Sequence, residues 1–262
     1  MEIQELRNHI FNEDCLIGMR EIPDGSIDCI ICDPPFGTTR NKWDSIIPLP
    51  ELWTQYKRII KPNGAIVLFS QQPFTSTLVL SNPEMFKYEW IWEKEHGTGH
   101  LNSNYAPMKI HENILVFSQA AACFVKDPKD AMVFNPQYKS GKPYESEHKH
   151  NPKSDNYDTA WNKGAFSTSN DGEHYKPTDI LLYGRDRDRV HPTQKPVELI
   201  RYLIRTYSNE GDVILDSCMG SGTTAIAAIK EKRHFIGFEL NEEYYEKACA
   251  RIKAELSQPT LF

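Results

Sequence analysis

The feature that most constrains the fold is the alternation of short apolar runs with amphipathic runs at both ends of the chain. SIDCIIC (26–32) and AIVLFS (65–70) are typical of strands buried on both faces, and Leu49–Ile60 between them has the period of a helix. The proline and glycine of KPNG (61–64) cannot continue that helix. The order strand, helix, strand predicts a parallel sheet.

Further runs extend this pattern in both directions. KYEWIWEK (87–94) and HENILVFS (111–118) predict two more strands, the second at an edge or antiparallel. Elements are also predicted at both ends of the chain: a strand over His9–Asn12, helices over Cys15–Ile22, Val197–Tyr207, Thr223–Lys232 and Glu242–Leu256, and strands over DVILD (212–216) and HFIGFE (234–239).

The middle of the chain, from residue 119 to about 190, has a different composition. It is rich in Asn, Lys, His, Ser, Asp and Tyr, poor in aliphatic residues, and without a sustained period. Such a stretch cannot form its own hydrophobic core. We expect either a functional loop region or a small subdomain next to the main domain.

Composition and charge narrow the class of protein. The 262 residues are 39% hydrophobic and 25% charged, with no apolar run of about 20 residues, so we expect a soluble protein without membrane partners. The amino terminus lacks the pattern of a signal peptide, which favours the cytoplasm. The net charge of -6 argues against non-specific nucleic-acid binding by the whole surface, although it allows a local basic groove.

The six cysteines do not predict a metal site. The one close pair, Cys29 and Cys32, lies in a predicted strand, where residues three apart point to opposite faces. There is no second pair that would complete four zinc ligands. We therefore expect both thiols in the core.

A glycine-rich turn near the carboxyl end predicts a ligand site. In VILDSCMGSGTTAIAA (213–228), a strand ends in Asp216, Gly220 and Gly222 follow, and a helix begins. Glycine permits close approach of a ligand, and Asp216 suits an ammonium group better than a phosphate. The next strand ends in Glu239, an acid placed to accept hydrogen bonds from ribose hydroxyls. An ammonium and a ribose together indicate S-adenosylmethionine, whereas a simple tight turn is the alternative.

Four motifs of the sequence resemble those of the DNA amino-methyltransferases of bacteria and their phages. DPPF (33–36) is similar to the family's catalytic motif, and DSCMGSGTT (216–224) to its cofactor loop. HPTQKPVELIRYLI (191–204) and FIGFELNEEYYEKACARI (235–252) are similar to the blocks before and after that loop. Because the catalytic motif precedes the cofactor loop, the order is that of the permuted beta group.

The resemblance implies a fold and a domain organisation. The fold would be the α/β, Rossmann-like fold of methyltransferases that use S-adenosylmethionine, with a mostly parallel seven-stranded sheet, helices on both faces and a small irregular target-recognition insert. Residues 1–118 would form the catalytic half of the domain, residues 119–190 the target-recognition region, and residues 191–262 the cofactor-binding half.

The resemblance also assigns roles to residues. Asp33 and the carbonyl of Pro34 would accept hydrogen bonds from the target amine, Pro35 would stiffen the turn, and Phe36 would stack on a base flipped out of the duplex. The residues implied for S-adenosylmethionine are Asp14, Thr193, Lys195, Asp216, Cys218, Met219, Gly220, Ser221, Gly222, Thr223, Thr224, Glu239 and Leu240. No metal is implied.

Several assignments have alternatives. Asp14 could instead cap the helix that starts at Cys15, and both roles could hold together. Thr193 and Lys195 could belong to an ordinary helix entry before Pro196. Ser217 and Cys218 replace the family's usual Pro and Phe, which puts one aromatic contact with the cofactor in doubt.

The implied substrate is an exocyclic amine of a base in double-stranded DNA. Aspartate at position 33 favours N6 of adenine over N4 of cytosine. Arg40, Lys42 and Trp43 follow the DPPF motif in a loop that could close over DNA or simply be solvated. The competing hypotheses are an amine methyltransferase acting on RNA or protein and a non-catalytic DNA-binding relative. The resemblance also leaves open whether the protein forms a homodimer and whether a companion restriction endonuclease exists.

Overall fold

Most of the predicted apolar and amphipathic runs form strands and helices. The computed structural model describes residues 2–38, 44–123, 125–148, 166–187, 190 and 193–257. In this part of the chain the helices are α1 (Ile3–Leu6), α2 (Cys15–Gly18), α3 (Leu49–Ile59), α4 (Phe74–Ser81), α5 (Val197–Tyr207), α6 (Thr223–Lys230) and α7 (Glu242–Leu256). The strands are β1 (His9–Phe11), β2 (Ile27–Cys32), β3 (Ile60–Ser70), β4 (Phe86–Thr98), β5 (Lys109–Phe117), β6 (Tyr144–His148), β7 (Phe166–Asn170), β8 (Ile180–Leu182), β9 (Val213–Asp216) and β10 (His234–Phe238).

Eight strands form one mixed, mostly parallel sheet in the order β1-β10-β9-β2-β3-β5-β4-β8. Every neighbouring pair is parallel except the two made by β5, which runs antiparallel to β3 and to β4. The predicted antiparallel direction of β5 is confirmed, but β5 lies inside the sheet rather than at an edge. The predicted number of seven strands was wrong, because β8 adds an eighth by pairing with Ile91–Glu93 of β4. Strand β8 lies within residues 119–190, where the sequence shows no sustained period.

Helices cover both faces of the sheet, as predicted. Cys29 and Ile31 of β2 belong to the core beneath α5 and α6, whereas Ile30 and Cys32 belong to the core beneath α2, α3 and α4. Alternate residues of one strand therefore enter two cores, as the two-residue period of a strand requires. The pair Cys29 and Cys32 is fully buried on opposite faces.

Two element boundaries differ from the prediction for identifiable reasons. Helix α2 ends at Gly18, not Ile22, and a short 3-10 turn follows. A Cβ atom on Gly18 would lie 2.2 Å from the ring of Phe238, so glycine lets α2 pack directly against β10. The stretch 61–64, which was predicted to end the helix before a strand at 65–70, belongs to β3, where a Cβ on Gly64 would lie 2.6 Å from the carbonyl oxygen of Asp28. This close approach coincides with the register shift between β2 and β3.

The middle of the chain contains a second compact unit, Pro136–Thr178. Its described part includes the antiparallel pair β6 and β7, and Lys139 pairs with Tyr175 through two backbone hydrogen bonds of 3.0 Å. The other unit consists of Met1–Asn135 and Asp179–Phe262. The functional division of the chain at residues 118 and 190 stays a prediction. In the described ranges no helix is long and apolar enough to cross a membrane.

A hydrogen bond in the core on the α5 side predicts how removal of the Tyr207 hydroxyl changes the free energy of unfolding. The Tyr207 hydroxyl accepts a hydrogen bond from Nε1 of Trp90 at 2.5 Å, and both side chains are buried. Tyr207→Phe leaves that indole N–H without its partner, so we expect the free energy of unfolding in urea to fall by about 1–3 kcal/mol. The exposed Tyr105→Phe is the control, and an equal change in both variants would contradict the prediction.

Candidate functional site

The site lies where the carboxyl ends of the central parallel strands meet. β2 pairs with β9 through Cys29–Ile214 and Ile30–Leu215, so the acids that end these runs, Asp33 and Asp216, come to the same edge of the sheet. A pocket opens between them. Its lining consists of Ile31, Cys32, Asp33, Phe69, Lys195, Ile200, Asp216, Ser221, Thr223 and Thr224.

Asp33 is the carboxylate at the centre of this pocket. Its Oδ2 accepts a hydrogen bond from Nζ of Lys195 in a close ion pair. Its Oδ1 is buried and has no hydrogen-bond partner in the part of the chain that the structure describes. Burial raises the pKa of Asp33, and the positive charge of Lys195 opposes that rise. One carboxylate oxygen is thus held by the protein, and the other is left to accept a hydrogen bond from a ligand.

The turn after Asp33 is held by a residue that the sequence motif does not include. The carboxylate of Asp44 accepts hydrogen bonds from the backbone N–H groups of Gly37 and Thr38, each at 2.9 Å. The ring of Phe36 packs on Phe74 of α4, with ring centroids 5.5 Å apart. Sequence analysis missed both contacts, because neither Asp44 nor Phe74 lies in a recognisable pattern with DPPF.

The glycine-rich loop is organised by Asp216. Its Oδ1 accepts from the N–H of Cys218 at 3.0 Å, and its Oδ2 accepts from the Thr224 hydroxyl at 2.6 Å. Burial, with a smaller contribution from the negative charge of Asp33, raises the pKa of Asp216 to about 6. The acid therefore shapes the loop and also presents a desolvated carboxyl group to the pocket.

Left-handed backbone at two glycines gives this loop its shape. The φ angles of Gly220 and Gly222 are 53° and 77°, which favour glycine over residues with a side chain. A Cβ atom on Gly222 would also lie 3.2 Å from Cβ of Ala248 on α7. Oε2 of Glu239 accepts from the N–H of Gly220 at 2.8 Å, which links the loop to the end of β10. The loop residues Met219, Ser221, Thr223 and Thr224 are buried.

The unusual residues of the loop have local partners. The hydroxyl of Ser217 lies 2.6 Å from the hydroxyl of Tyr56 on α3 and 3.2 Å from Sγ of Cys32. Cys218 packs against the same core as these residues. The polar group at position 217 is therefore satisfied beneath the loop. Tyr56 is a contact that sequence analysis missed, since α3 shows only the apolar period of a core helix.

The remaining predicted residues lie in different settings. Oδ1 of Asp14 accepts from the N–H of Leu16 at 2.7 Å, so Asp14 caps α2, and its proposed contact with a cofactor is not tested by this geometry. Leu240 and Thr193 are exposed. The carbonyl of Leu240 accepts from Nδ2 of Asn12 at 3.3 Å. The loop residues Arg40, Lys42 and Trp43 lie outside the described residues.

Lys195 occupies a position that the sequence did not indicate. Its ammonium group bonds Asp33 and lies 3.4 Å from Oε2 of Glu112, and Oε1 of Glu112 lies 2.6 Å from Nζ of Lys94. The two carboxylates raise the pKa of Lys195, although burial opposes them. The role of Lys195 in binding S-adenosylmethionine stays a prediction. The sequence pointed to Glu112 only in that it is an acid within the apolar run HENILVFS.

Comparisons with known proteins give a consistent result. A family model for N6/N4 methyltransferases, described as DNA methylase, matches residues 27–250. The chain is 29% identical over 270 residues to the type II methyltransferase M1.MboII of Moraxella bovis, covering 92% of this chain and 95% of that protein. It is 27% identical over 256 residues to the DNA adenine methyltransferase YhdJ of Escherichia coli (strain K12), covering 93% and 82%.

Solved structures show the same fold. The crystal structure of an M1.HpyAVI–SAM complex matches with a TM-score of 0.60 and 24% identity, covering 93% of this chain and 98% of that one. PvuII DNA methyltransferase, which is cytosine-N4-specific, matches with a TM-score of 0.61 and 15% identity, covering 97% and 87%. At these identities the likeness concerns the fold alone.

The raised pKa of Asp216 predicts a dependence of stability on pH. Its ordinary value is 3.8, so the protonated carboxyl favours the folded state at low pH, and this stabilisation is lost as pH rises through about 6. Asp216→Asn carries no charge. In the protein without ligand, we expect the variant to gain free energy of unfolding relative to the wild type between pH 4 and pH 7, by about 3 kcal/mol.

Urea denaturation at several pH values measures this difference. The exposed Asp130→Asn provides the matched control, for which the difference from the wild type should be small and flat. A difference for Asp216→Asn that does not change with pH would show that the buried carboxyl is not protonated in this range.

Proposed function

The chain belongs to the N6/N4 DNA methylase family, and from this premise we propose that it transfers a methyl group from S-adenosylmethionine to the exocyclic N6 amine of an adenine flipped out of double-stranded DNA. The observation that carries this proposal is the Oδ1 atom of Asp33, which is buried and has no hydrogen-bond partner among the described residues, beside a pocket lined by the glycine-rich loop. An amine needs such an acceptor in order to point its lone pair at a methyl group.

The residues around the pocket fit S-adenosylmethionine. The loop at Gly220 and Gly222 leaves space for close approach, the Asp216 carboxyl suits an ammonium group, and Glu239 suits a ribose. The other residues we assign to the cofactor are Asp14, Thr193, Lys195, Cys218, Met219, Ser221, Thr223, Thr224 and Leu240. When bound, this cofactor supplies an electrophilic methyl group. No metal is needed for the step.

The chain's own residues orient the target amine. Oδ1 of Asp33 and the carbonyl of Pro34 accept its two hydrogens, while Lys195 retains Oδ2. The amine must lose a proton once it carries the methyl group, and the Asp33 carboxyl, whose pKa is raised by burial, is placed to take it at Oδ1. Phe36 offers its ring to the flipped base, supported from behind by Phe74.

Aspartate at position 33 favours adenine within this proposal. A carboxylate is a stronger acceptor than a hydroxyl, and relatives of this chain include a DNA adenine methyltransferase. A cytosine-N4-specific enzyme shares the fold, so N4 of cytosine is the second candidate. Both bases present an exocyclic amine, and direct identification of the product decides between them.

We further propose how DNA is recognised. Residues 119–190 would form the target-recognition region, between a catalytic half (1–118) and a cofactor-binding half (191–262), and Arg40, Lys42 and Trp43 would contact DNA near the target base. Restriction–modification enzymes among the relatives make a companion restriction endonuclease a reasonable partner, and a palindromic target would suit a homodimer.

The class of product is tested by mass spectrometry of nucleosides. Unmethylated genomic DNA is incubated with the protein and S-adenosylmethionine and then digested. We expect N6-methyladenine, because the Asp33 carboxylate is the acceptor for its amine. N4-methylcytosine would keep the reaction and overturn the choice of base. The absence of any methylated base, when cofactor binding is shown by calorimetry, would overturn the proposed activity.

The role of Asp33 is tested by Asp33→Ala. We expect the rate of methyl transfer to fall by roughly 10²- to 10⁴-fold, because the amine loses its acceptor, with little change in the Kd for S-adenosylmethionine. Asp24→Ala is the control: Asp24 is an exposed aspartate that precedes β2, pairs with Arg58 and does not line the pocket. Full activity of the Asp33 variant would refute its assigned role.

A further inference from the structure

Four charged side chains form a continuous ionic chain that begins at Asp33. Lys195 bonds Oδ2 of Asp33 and lies 3.4 Å from Oε2 of Glu112, and Oε1 of Glu112 lies 2.6 Å from Nζ of Lys94. Two of these residues, Lys94 on β4 and Glu112 on β5, come from a neighbouring antiparallel pair of strands. The family motifs include neither of them. We call this set the Asp33 ionic chain.

The Asp33 ionic chain is largely removed from solvent. The exposed fractions of the side chains are 5% for Lys94, 8% for Lys195 and 14% for Glu112, and Asp33, which borders the pocket, is 26% exposed. Charges in such a setting are strongly unfavourable unless they are paired, and two positive and two negative groups here balance. Glu112 has one ammonium on each of its two oxygens. The chain is therefore a fixed arrangement, unlike an exposed ion pair.

Aromatic rings restrict both ammonium groups as well. Nζ of Lys195 lies 5.1 Å from the centre of the Phe69 ring, and Nζ of Lys94 lies 5.3 Å from that of Trp92. Cation–π contacts of this kind add to the attraction of the carboxylates. A buried ion pair often contributes no more to stability than apolar residues of similar volume. Stability alone therefore gives no reason for placing three further charges beside Asp33.

We propose that Glu112 and Lys94 are positioning residues for methyl transfer. They hold the ammonium of Lys195 against Oδ2 of Asp33, which leaves Oδ1 as the carboxylate oxygen that accepts from the target amine. Without Glu112, the ammonium keeps Asp33 as its one carboxylate partner among the described residues and is free to move over both oxygens of Asp33, where it competes with the amine. This inference rests on the proposed role of Asp33.

The charges that face Asp33 and Lys195 predict the direction in which their pKa values change when one charge is removed. Asp33 faces Lys195, Glu112, Lys94 and Asp216, and Lys195 faces the carboxylates of Asp33 and Glu112. The negative charge of Glu112 raises the pKa of both Asp33 and Lys195, whereas the positive charge of Lys94 lowers the pKa of Asp33. Removing either charge should therefore move the pH dependence of kcat in a known direction.

The test compares Glu112→Gln with Lys94→Met by radiolabelled methyl transfer across pH. For Glu112→Gln we expect kcat at neutral pH to fall by roughly ten- to a hundredfold, with the acid limb of the profile displaced to lower pH. For Lys94→Met we expect the acid limb to move the opposite way, to higher pH. The Kd for S-adenosylmethionine, measured by calorimetry, should stay within about threefold of the wild type, a difference of under 1 kcal/mol.

Glu89→Gln is the matched control. Glu89 is an exposed glutamate of β4 whose carboxylate accepts from Nδ2 of Asn113, the residue after Glu112, and it does not contact Lys195. The wild-type pH profile is expected for this variant. A fall in kcat of Glu112→Gln without displacement of the profile would assign Glu112 a merely structural role and overturn the inference.

A double variant keeps the test decisive if Glu112→Gln fails to fold with Lys94 left unpaired. Lys94→Met/Glu112→Gln removes both charges. We expect a reduced kcat and an acid limb displaced less than in either single variant, because the two charges shift the pKa of Asp33 in opposite directions. Wild-type kcat would overturn the inference.

Asp33→Ala distinguishes failure of the inference from failure of the proposal on which it rests. Full activity of that variant would refute the assigned role of Asp33, whereas a strongly reduced rate in Asp33→Ala beside wild-type behaviour of Glu112→Gln would refute only the positioning role.

Discussion

The parallel pairing of β2 with β9 is the constraint on which the site depends. These strands come from opposite ends of the chain, yet their register brings Asp33 and Asp216 to one edge of the sheet. Parallel strands place their carboxyl ends together, and the loops that leave them meet there. Asp33, the proposed acceptor for the amine, and the glycine-rich loop therefore become neighbours through backbone pairing. The two buried cores on either side of β2 hold this register.

Burial of charge is the second theme of the site. Asp216, Glu112 and Lys195 lie in or beside one pocket with little access to solvent, and the side chain of Asp33 beside them is 26% exposed. Desolvation raises the pKa of both aspartates, and each is stabilised differently: Asp33 by an ammonium, Asp216 by an N–H and a hydroxyl. A group fixed and desolvated before the substrate arrives needs little reorganisation during the reaction, which is a common source of catalytic power.

Sequence patterns predicted elements well where a strand or helix repeats its apolar period. The runs of β2, β9, α5 and α7 were found because several consecutive turns or alternations carry the signal. Helix α4 was missed, since FTSTLVLS contains threonine, serine and valine that favour other conformations, and packing on Phe36 and the core outweighs this propensity. Strand β8 was missed because it lies within residues 119–190, whose polar composition shows no sustained period.

The sequence by itself determined the α/β class, the family, and the acids and glycines of the DPPF and DSCMGSGTT motifs, because each of these depends on residues adjacent in the chain. Only the tertiary structure decided that the ammonium of Lys195 bonds the carboxylate of Asp33, 162 residues away. It likewise decided that Glu112 lies next to Lys195 and that Lys94 pairs with Glu112. Such contacts depend on how β2, β5 and the start of α5 come together in space. Local periodicity and motif spacing carry no information about distances of that kind.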